Sequence, residues 1–220
     1  MEPILPLDIL LYIIDLLASG YDSVRSLQNL SQACKFMVPL CRKHLFSSIV
    51  LVRNSSLPRF GNLLSKNPDI ACYVKKLHYG VNNPISELEL NILELLKEHS
   101  SLQSIVLSSA RVDWNTLPES IRLSLVSLIQ LPTVTRLIID SFRVFPVMAL
   151  SGCRNLIELM LGEPFIDPSE ANSLHGVGPI VDSSRLRKAY FQVEFEGDIR
   201  QLNMLIMAAT RLEYFYLTSE

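Results

Sequence analysis

The side chains that could perform catalytic chemistry are few in this chain, and they are scattered along it. Its histidines and cysteines are His44, His78, His99 and His175, and Cys34, Cys41, Cys72 and Cys153. Metal sites and nucleophile–base pairs need such residues in characteristic sets, and the cysteines show no C-x-x-C spacing. We therefore interpret the histidines as ordinary surface or core residues and the cysteines as small buried hydrophobes.

Motifs of known chemistry are also missing from the sequence. It contains no H-E-x-x-H, no G-x-S-x-G and no phosphate-binding glycine loop. The nearest candidate for such a loop is Gly176-Val177-Gly178-Pro179, where Pro179 lacks the backbone N–H that a phosphate nest would use. The sequence thus predicts a protein that is not an enzyme and that holds no cofactor and no metal. An α/β enzyme, the opposing hypothesis, would require polar groups that only the fold brings together.

The composition is that of a folded protein with a large apolar content. Of 220 residues, 49% are hydrophobic and 19% are charged, against about 25% charged in an average soluble domain. The net charge is -2, and no run of Lys or Arg suggests a nucleic acid or membrane partner. With no signal peptide and no uncharged apolar run of about 18 residues, we expect a cytoplasmic or nuclear protein.

The N-terminal region predicts a small cluster of helices. Pro6 suits the first position of a helix, where a backbone N–H is not needed, and Asp8 complements the positive end of the helix dipole. Gly20 ends this helix, and the apolar positions of the next extend to Pro39, where we expect a break or a kink. The first helix is apolar well beyond one face, so it needs cover on several sides.

A set of residues in this region has a recognisable spacing: Leu5, Pro6, Asp8, Ile9, Leu10, Ile13, Ile14, Leu17, Leu27, Leu30, Ser31, Cys34 and Lys35. This spacing resembles the F-box, especially the form common in fungal proteins, and the resemblance covers roughly residues 4 to 50. A tryptophan is usual in that family where Phe36 and Met37 stand, and Asp8 replaces the commoner glutamate.

The resemblance implies a partner for the N-terminal helices. An F-box docks on a Skp-type adaptor, which links it to a cullin-based ubiquitin ligase. The adaptor contacts implied in this chain are Leu5, Pro6, Ile9, Leu10, Ile13, Ile14, Leu17, Leu27, Leu30 and Met37. The alternative is that these apolar residues form only the core of the module itself.

After residue 45 an internal repeat organises the chain. Writing φ for an apolar residue, the pattern φ-x-x-φ-x-φ occurs seven times at intervals of 22 to 32 residues. Its first positions are Phe46, Val74, Leu102, Val134, Leu156, Leu186 and Leu212. Leucine-rich repeats are about 20 to 29 residues long and carry L-x-x-L-x-L at their strand, so we predict a strand at each occurrence.

Helical patterns alternate with these strands. Ser86 with Glu89, and Thr116 with Glu119, form candidate capping boxes ahead of apolar stripes, and Pro58 opens a shorter helix. No such unit can bury its apolar face alone, but stacked units make a continuous core between a parallel strand row and a helix row. We therefore predict an open, curved array of strand–helix units.

This array resembles the irregular leucine-rich repeats of F-box receptors. The Asn or Cys usual at the turn after each strand is replaced by Ala110, Phe142 and Pro164, so these turns must satisfy their backbone groups in another way. We predict an α/β fold with a helical F-box over residues 1–46. A leucine-rich-repeat-like solenoid with a parallel sheet follows over 47–220. No polar cap follows its last strand, which leaves open whether the array continues.

The outward side chains of the strands predict a second binding surface. Strands alternate with period two, so the residues flanking the last two apolar positions of each motif share one concave face. Tyr, Met and Arg on that face are residue types favoured in binding hot spots. The predicted target-binding residues are Lys76, His78, Arg136, Ile138, Glu158, Met160, Lys188, Tyr190, Tyr214 and Tyr216. A mixed solvent face without a ligand is the alternative.

Together these features predict a non-catalytic substrate-recognition subunit of a Skp–cullin–F-box ubiquitin ligase. The box would bind the adaptor, and the repeats would hold a protein target so that its lysines lie near the ubiquitin carrier. The alternative is a leucine-rich-repeat interaction scaffold that is not linked to degradation.

Overall fold

The computed structural model describes residues 5–52, 56–81, 86–142, 145–162, 185–193 and 213–219, without the side chains of 147, 148, 191–193 and 215–219. Within these ranges, helices come first and strands then dominate. The elements are α1 Leu7–Ser19, α2 Ser23–Ala33, α3 Met37–Leu45, β1 Ser48–Leu51, α4 Ser56–Lys66, β2 Lys76–Val81, α5 Glu87–His99, β3 Ser104–Ser109, α6 Glu119–Ile129, β4 Arg136–Asp140, β5 Glu158–Gly162, β6 Lys188–Val193 and β7 Tyr214–Ser219. Short 3₁₀ helices occupy Pro68–Tyr73, Trp114–Thr116 and Val147–Gly152.

The strands form one sheet whose spatial order is the chain order, β1 to β7, and every neighbouring pair is parallel. The register aligns the same motif position in each strand, namely Ile49, Leu77, Ile105, Leu137, Leu159, Ala189 and Phe215. The strand predictions and the α/β fold with a parallel sheet are therefore confirmed.

The main core lies between the sheet and the helices α4, α5 and α6. Alternate strand residues such as Leu77 and Leu137 are buried, and they share one apolar cluster with helix residues such as Leu64, Leu96 and Leu125. The strand positions between them are more exposed, as on β4, where Arg136 precedes the buried Leu137. One face of the sheet is thus covered and the other is open.

A separate, smaller apolar cluster holds the three N-terminal helices together. Ile14 of α1, Leu27 of α2 and Cys41 of α3 form its buried centre. Leu17 and Met37 are among the partly buried residues packed around them. Each of the three helices therefore contributes one buried side chain to this centre.

The predicted helix starts are right at some positions and wrong at others. The capping box of α5 is confirmed, with the backbone N–H of Ser86 donating to Glu89 Oε2 at 2.6 Å. The second predicted box is wrong: α6 begins at Glu119, and the Thr116 hydroxyl donates to the carbonyl of Asp113 at 2.7 Å. Thr116 ends the 3₁₀ helix Trp114–Thr116 instead, and Pro118 is the residue that precedes α6.

The two N-terminal prolines also differ from expectation. Pro6 precedes α1 instead of occupying its first position, and its carbonyl accepts the first helical bond, from Leu10, at 3.1 Å. Pro39 does not end a helix but lies in the first turn of α3. A proline is tolerated there because a first-turn N–H has no partner within the helix.

The turns after β3 and β4 satisfy their backbone groups without the usual Asn or Cys. The hydroxyl of Ser109 donates to the carbonyl of Ser141 and accepts from the N–H of Val112 at 3.2 Å. The N–H of Arg111 also donates to Ser141, at 3.0 Å. The prediction that these turns use other partners is confirmed, and a serine hydroxyl is the main substitute.

Candidate functional site

Helix α1 carries two apolar stripes, and only one of them faces the protein. Leu10 and Ile14, four residues apart, are buried, and Ile14 packs with Leu27 of α2 and Cys41 of α3. On the other side, Ile9, Tyr12, Ile13 and Leu16 expose 43%, 63%, 36% and 56% of their surface. Their spacing of three and four residues places them in one row along the helix. We name these four residues the α1 stripe.

The structure divides the predicted adaptor contacts into three groups. Those exposed are Leu5, Pro6, Ile9 and Ile13. Those buried are Leu10, Ile14 and Leu27. Those partly buried at its margin are Leu17, Leu30 and Met37. Only the first group presents its side chains freely, and the buried group serves the module itself.

Sequence reasoning missed several exposed apolar residues of the same region. Tyr12 and Leu16 belong to the α1 stripe, and Leu7, Tyr21, Val24 and Phe36 are exposed nearby in the sequence. The signal was present, because Ile9, Tyr12, Ile13 and Leu16 follow the i, i+3, i+4, i+7 spacing of one helix face. Asp15 lies beside them and binds α3, with its Oδ1 2.9 Å from His44 Nε2 and 3.4 Å from Lys43 Nζ.

Two rows of residues cross the strands at the register positions of the open face. The charged row consists of Ser48, Lys76, Ser104, Arg136, Glu158, Lys188 and Tyr214. The apolar row, two residues further along each strand, consists of Val50, His78, Val106, Ile138, Met160, Tyr190 and Tyr216. Strands about 4.8 Å apart make each row about 29 Å long. The register thus brings all ten predicted target-binding residues to two adjacent rows.

Polar contacts link neighbours within the charged row. Arg136 Nε lies 3.1 Å from Glu158 Oε2, and Lys188 Nζ lies 5.8 Å from the centre of the Tyr214 ring. Lys76, in the same row, is also exposed. Such exposed pairs contribute little to stability, so their positions leave them available for contacts with a partner.

The apolar row is partly open to solvent. Val50 and Met160 are exposed, and Val106, Ile138 and Tyr190 are half-buried. The side chain of Tyr216 lies outside the described part of the structure. An apolar line of this kind, bordered by charges, has the make-up of a protein interface, in which a hydrophobic centre is surrounded by a polar rim.

One pair on this face has the geometry of a base and a hydroxyl. His78 Nε2 lies 3.1 Å from Ser108 Oγ, within hydrogen-bond distance. Nucleophilic catalysis by such a pair needs a third group that orients the histidine. No carboxylate is bonded to the His78 ring among the residues that the structure describes. The hydrogen bond with Ser108 instead holds the His78 ring in one orientation on the sheet.

Within the described ranges, no group of three or more His, Cys, Asp or Glu residues could hold a metal ion. None of the helices described there is long and apolar enough to cross a membrane. No protein-family model matches the sequence, and no curated protein shows a significant match to it.

Proposed function

We propose that this chain is the non-catalytic substrate receptor of a Skp–cullin–F-box ubiquitin ligase. In this proposal residues 1–46 are an F-box that binds a Skp-type adaptor, and residues 47–220 are a leucine-rich-repeat-like solenoid that binds a protein target. The α1 stripe is the observation that carries the proposal. A helix of a small module that exposes four apolar side chains in one row has a surface suited to a permanent partner.

The solenoid part of the proposal rests on the sheet. Its strand order follows the chain, its register repeats the same motif position, and α4, α5 and α6 pack side by side in sequence. Repeat proteins have this nearest-neighbour arrangement and use the open face of the strands for binding. The charged row and the apolar row supply the target-binding surface of the proposed receptor.

The resemblance to an F-box implies adaptor contacts at exposed and buried positions alike, and we assign the contact surface to the exposed ones. We expect contacts from Leu5, Pro6, Ile9 and Ile13, to which the structure adds Tyr12 and Leu16. Leu10, Ile14 and Leu27 support the stripe from beneath. Because binding would cover apolar surface, loss of one large side chain at the centre should weaken the complex strongly.

The test mixes the purified chain with a Skp-type adaptor and follows co-elution on a sizing column. The wild-type chain should co-elute at micromolar concentrations, and the Leu16→Asp variant should not. Leu123→Asp is the matched control, because Leu123 on α6 exposes 60% of its surface against 56% for Leu16. Failure of the wild-type chain to co-elute would remove the ligase role and favour the scaffold that is not linked to degradation.

A further inference from the structure

A groove runs along the outer side of β1, at the first edge of the sheet. It encloses about 550 Å³ and is lined by Ser48, Ile49, Val50, Leu51 and Val52, and by Ser56, Arg59, Phe60 and Leu63. Side chains of a strand alternate between the two faces of a sheet. A groove that touches all four residues of β1 and the residue after it must therefore follow the edge of the strand, and β2 occupies the other edge.

The backbone at this edge has hydrogen-bonding groups to offer. The carbonyl of Ser47 accepts from the N–H of Lys76 at 2.9 Å, so Ser47, Ile49 and Leu51 direct their polar groups toward β2. In a parallel pair successive residues alternate in this respect. The N–H and C=O of Ser48 and Val50 consequently point outward, and neither residue has a backbone partner there among the described residues.

The opposite wall of the groove is one face of α4. Ser56, Arg59, Phe60 and Leu63 follow the i, i+3, i+4, i+7 spacing of a helix face. Phe60 is buried and Leu63 is half-buried, so the base of the groove is apolar. Arg59 is exposed and forms no ion pair within the described ranges. It is the charged residue in the lining of the groove.

We propose that this groove binds an extended, acidic peptide segment of a partner protein as an added β-strand. The backbone groups of Ser48 and Val50 would pair with the peptide, as in other cases of strand addition to a sheet edge. Alternate apolar side chains of the peptide would contact Phe60 and Leu63, and a carboxylate would pair with Arg59. At about 3.3 Å per residue, the edge accommodates about five peptide residues.

The site differs from the two surfaces of the proposed receptor. It shares only Ser48 and Val50 with the rows of the sheet face, and none of its residues belongs to the α1 stripe. Loss of peptide binding at β1 would therefore leave co-elution with the adaptor intact. The two proposals can fail separately.

The experiment selects binders from a displayed library of random twelve-residue peptides with the immobilised full chain. We expect enriched peptides that alternate apolar residues and carry Asp or Glu. The most enriched peptide, synthesised with a fluorophore, is then titrated with wild-type chain by fluorescence anisotropy. Removing one backbone pair or reversing the charge should each weaken binding by roughly tenfold. The variants are Val50→Pro, which lacks the outward N–H, and Arg59→Glu.

Two controls make the result decisive. Lys66→Glu reverses an exposed charge on α4 outside the groove and should bind the peptide like the wild type. If Val50→Pro fails to fold, an N-methylated peptide removes hydrogen bonds from the ligand side instead. The proposal is overturned if no acidic peptide is enriched, or if the enriched peptide binds Arg59→Glu and tolerates N-methylation as well as before. Enrichment of basic or non-alternating peptides would overturn it equally.

Discussion

Glu94 is the carboxylate that joins α5 to α6. Its Oε1 accepts a hydrogen bond from the Ser124 hydroxyl at 2.6 Å, and its Oε2 pairs with Lys97 on the next turn of α5. The hydrogen bonds from Lys97 and Ser124 lower the pKa of Glu94 below its usual value of 4.5. The folded protein therefore favours the ionised form of this side chain.

The variant Glu94→Gln should be less sensitive to acid than the wild type. A carboxyl whose pKa is lower in the folded state stabilises the fold above its unfolded pKa, and that stabilisation is lost as pH falls through the folded pKa. The difference in unfolding free energy between the two proteins should shrink below about pH 4.5. Urea unfolding over a series of pH values measures it.

Glu98→Gln is the control for this prediction, since Glu98 is an exposed carboxylate on the same helix. The unfolding free energy of the Glu98→Gln variant should change across the pH series in the same way as that of the wild type. If the unfolding free energies of the wild type and of Glu94→Gln changed with pH in parallel, ionised Glu94 would not stabilise the fold.

Single residues also show how far sequence reasoning reaches. Glu89 was predicted in a capping box from its spacing to Ser86, and the structure confirms it. Its second contact was not predictable: Oε1 accepts from the Tyr79 hydroxyl on β2 at 3.3 Å. Burial, followed by the nearby charge of Glu89, raises the pKa of Tyr79, which keeps the hydroxyl protonated as a donor. The capping box could be predicted because it depends on the spacing of two residues in the sequence. The contact with Tyr79, 10 residues away, depends on how α5 packs against β2, which the spacing does not show.

At the scale of elements, β2 passes close to the backbone of Val52, the residue that follows β1. A Cβ atom at Gly80 would lie 2.9 Å from the Cα atom of Val52. Because the obstacle is backbone, it cannot move aside as a flexible side chain would. Gly80 therefore allows β2 to pass the residue that follows β1.

The variant Gly80→Ala should be destabilised by about 1–3 kcal/mol, because the added methyl group forces the two strands apart. Chemical unfolding of both proteins gives the difference. Gly20→Ala is the matched control: its Cβ would lie 3.4 Å from the Leu17 carbonyl oxygen, an ordinary contact, so its effect should stay within about 0.5 kcal/mol. Equal stability of the Gly80→Ala variant and the wild type would show that the strands separate freely.

Elements were predicted better from periodic patterns than from local starts and stops. The strands all follow φ-x-x-φ-x-φ, since burial on one face imposes a period of two. The predicted start of α6 was wrong because Thr116 belongs to the 3₁₀ helix Trp114–Thr116, where its hydroxyl bonds to the Asp113 carbonyl instead of capping α6. The candidate site residues on the sheet could be predicted from the same period of two. The exposure of the α1 stripe could not, because it depends on how three helices pack together.

At the scale of the whole molecule, the four cysteines report on its folding. Cys34 and Cys72 are exposed, and Cys41 and Cys153 are buried. Burial raises the pKa of Cys41, and it raises that of Cys153 to about 12. Since the thiolate is the reactive form, the buried pair is protected both by lack of access and by protonation.

Two thiols of the native chain should react rapidly with a disulfide reagent such as Ellman's reagent, and two should react only on unfolding. The Cys34→Ser and Cys72→Ser double variant should lose the rapid phase and retain the slow one. Four rapid thiols in the wild type would show that the helical cluster or the main core opens readily.

The chain-ordered sheet has a mechanical consequence. Among the strands that the structure describes, each pairs laterally with the strands immediately before and after it in the sequence and with no other. A force that pulls the two ends of the sheet apart is therefore carried by the strand pairs in series, and the weakest pair yields first. Extension should then proceed in steps of one strand and its connecting segment, with no single event that releases the whole sheet.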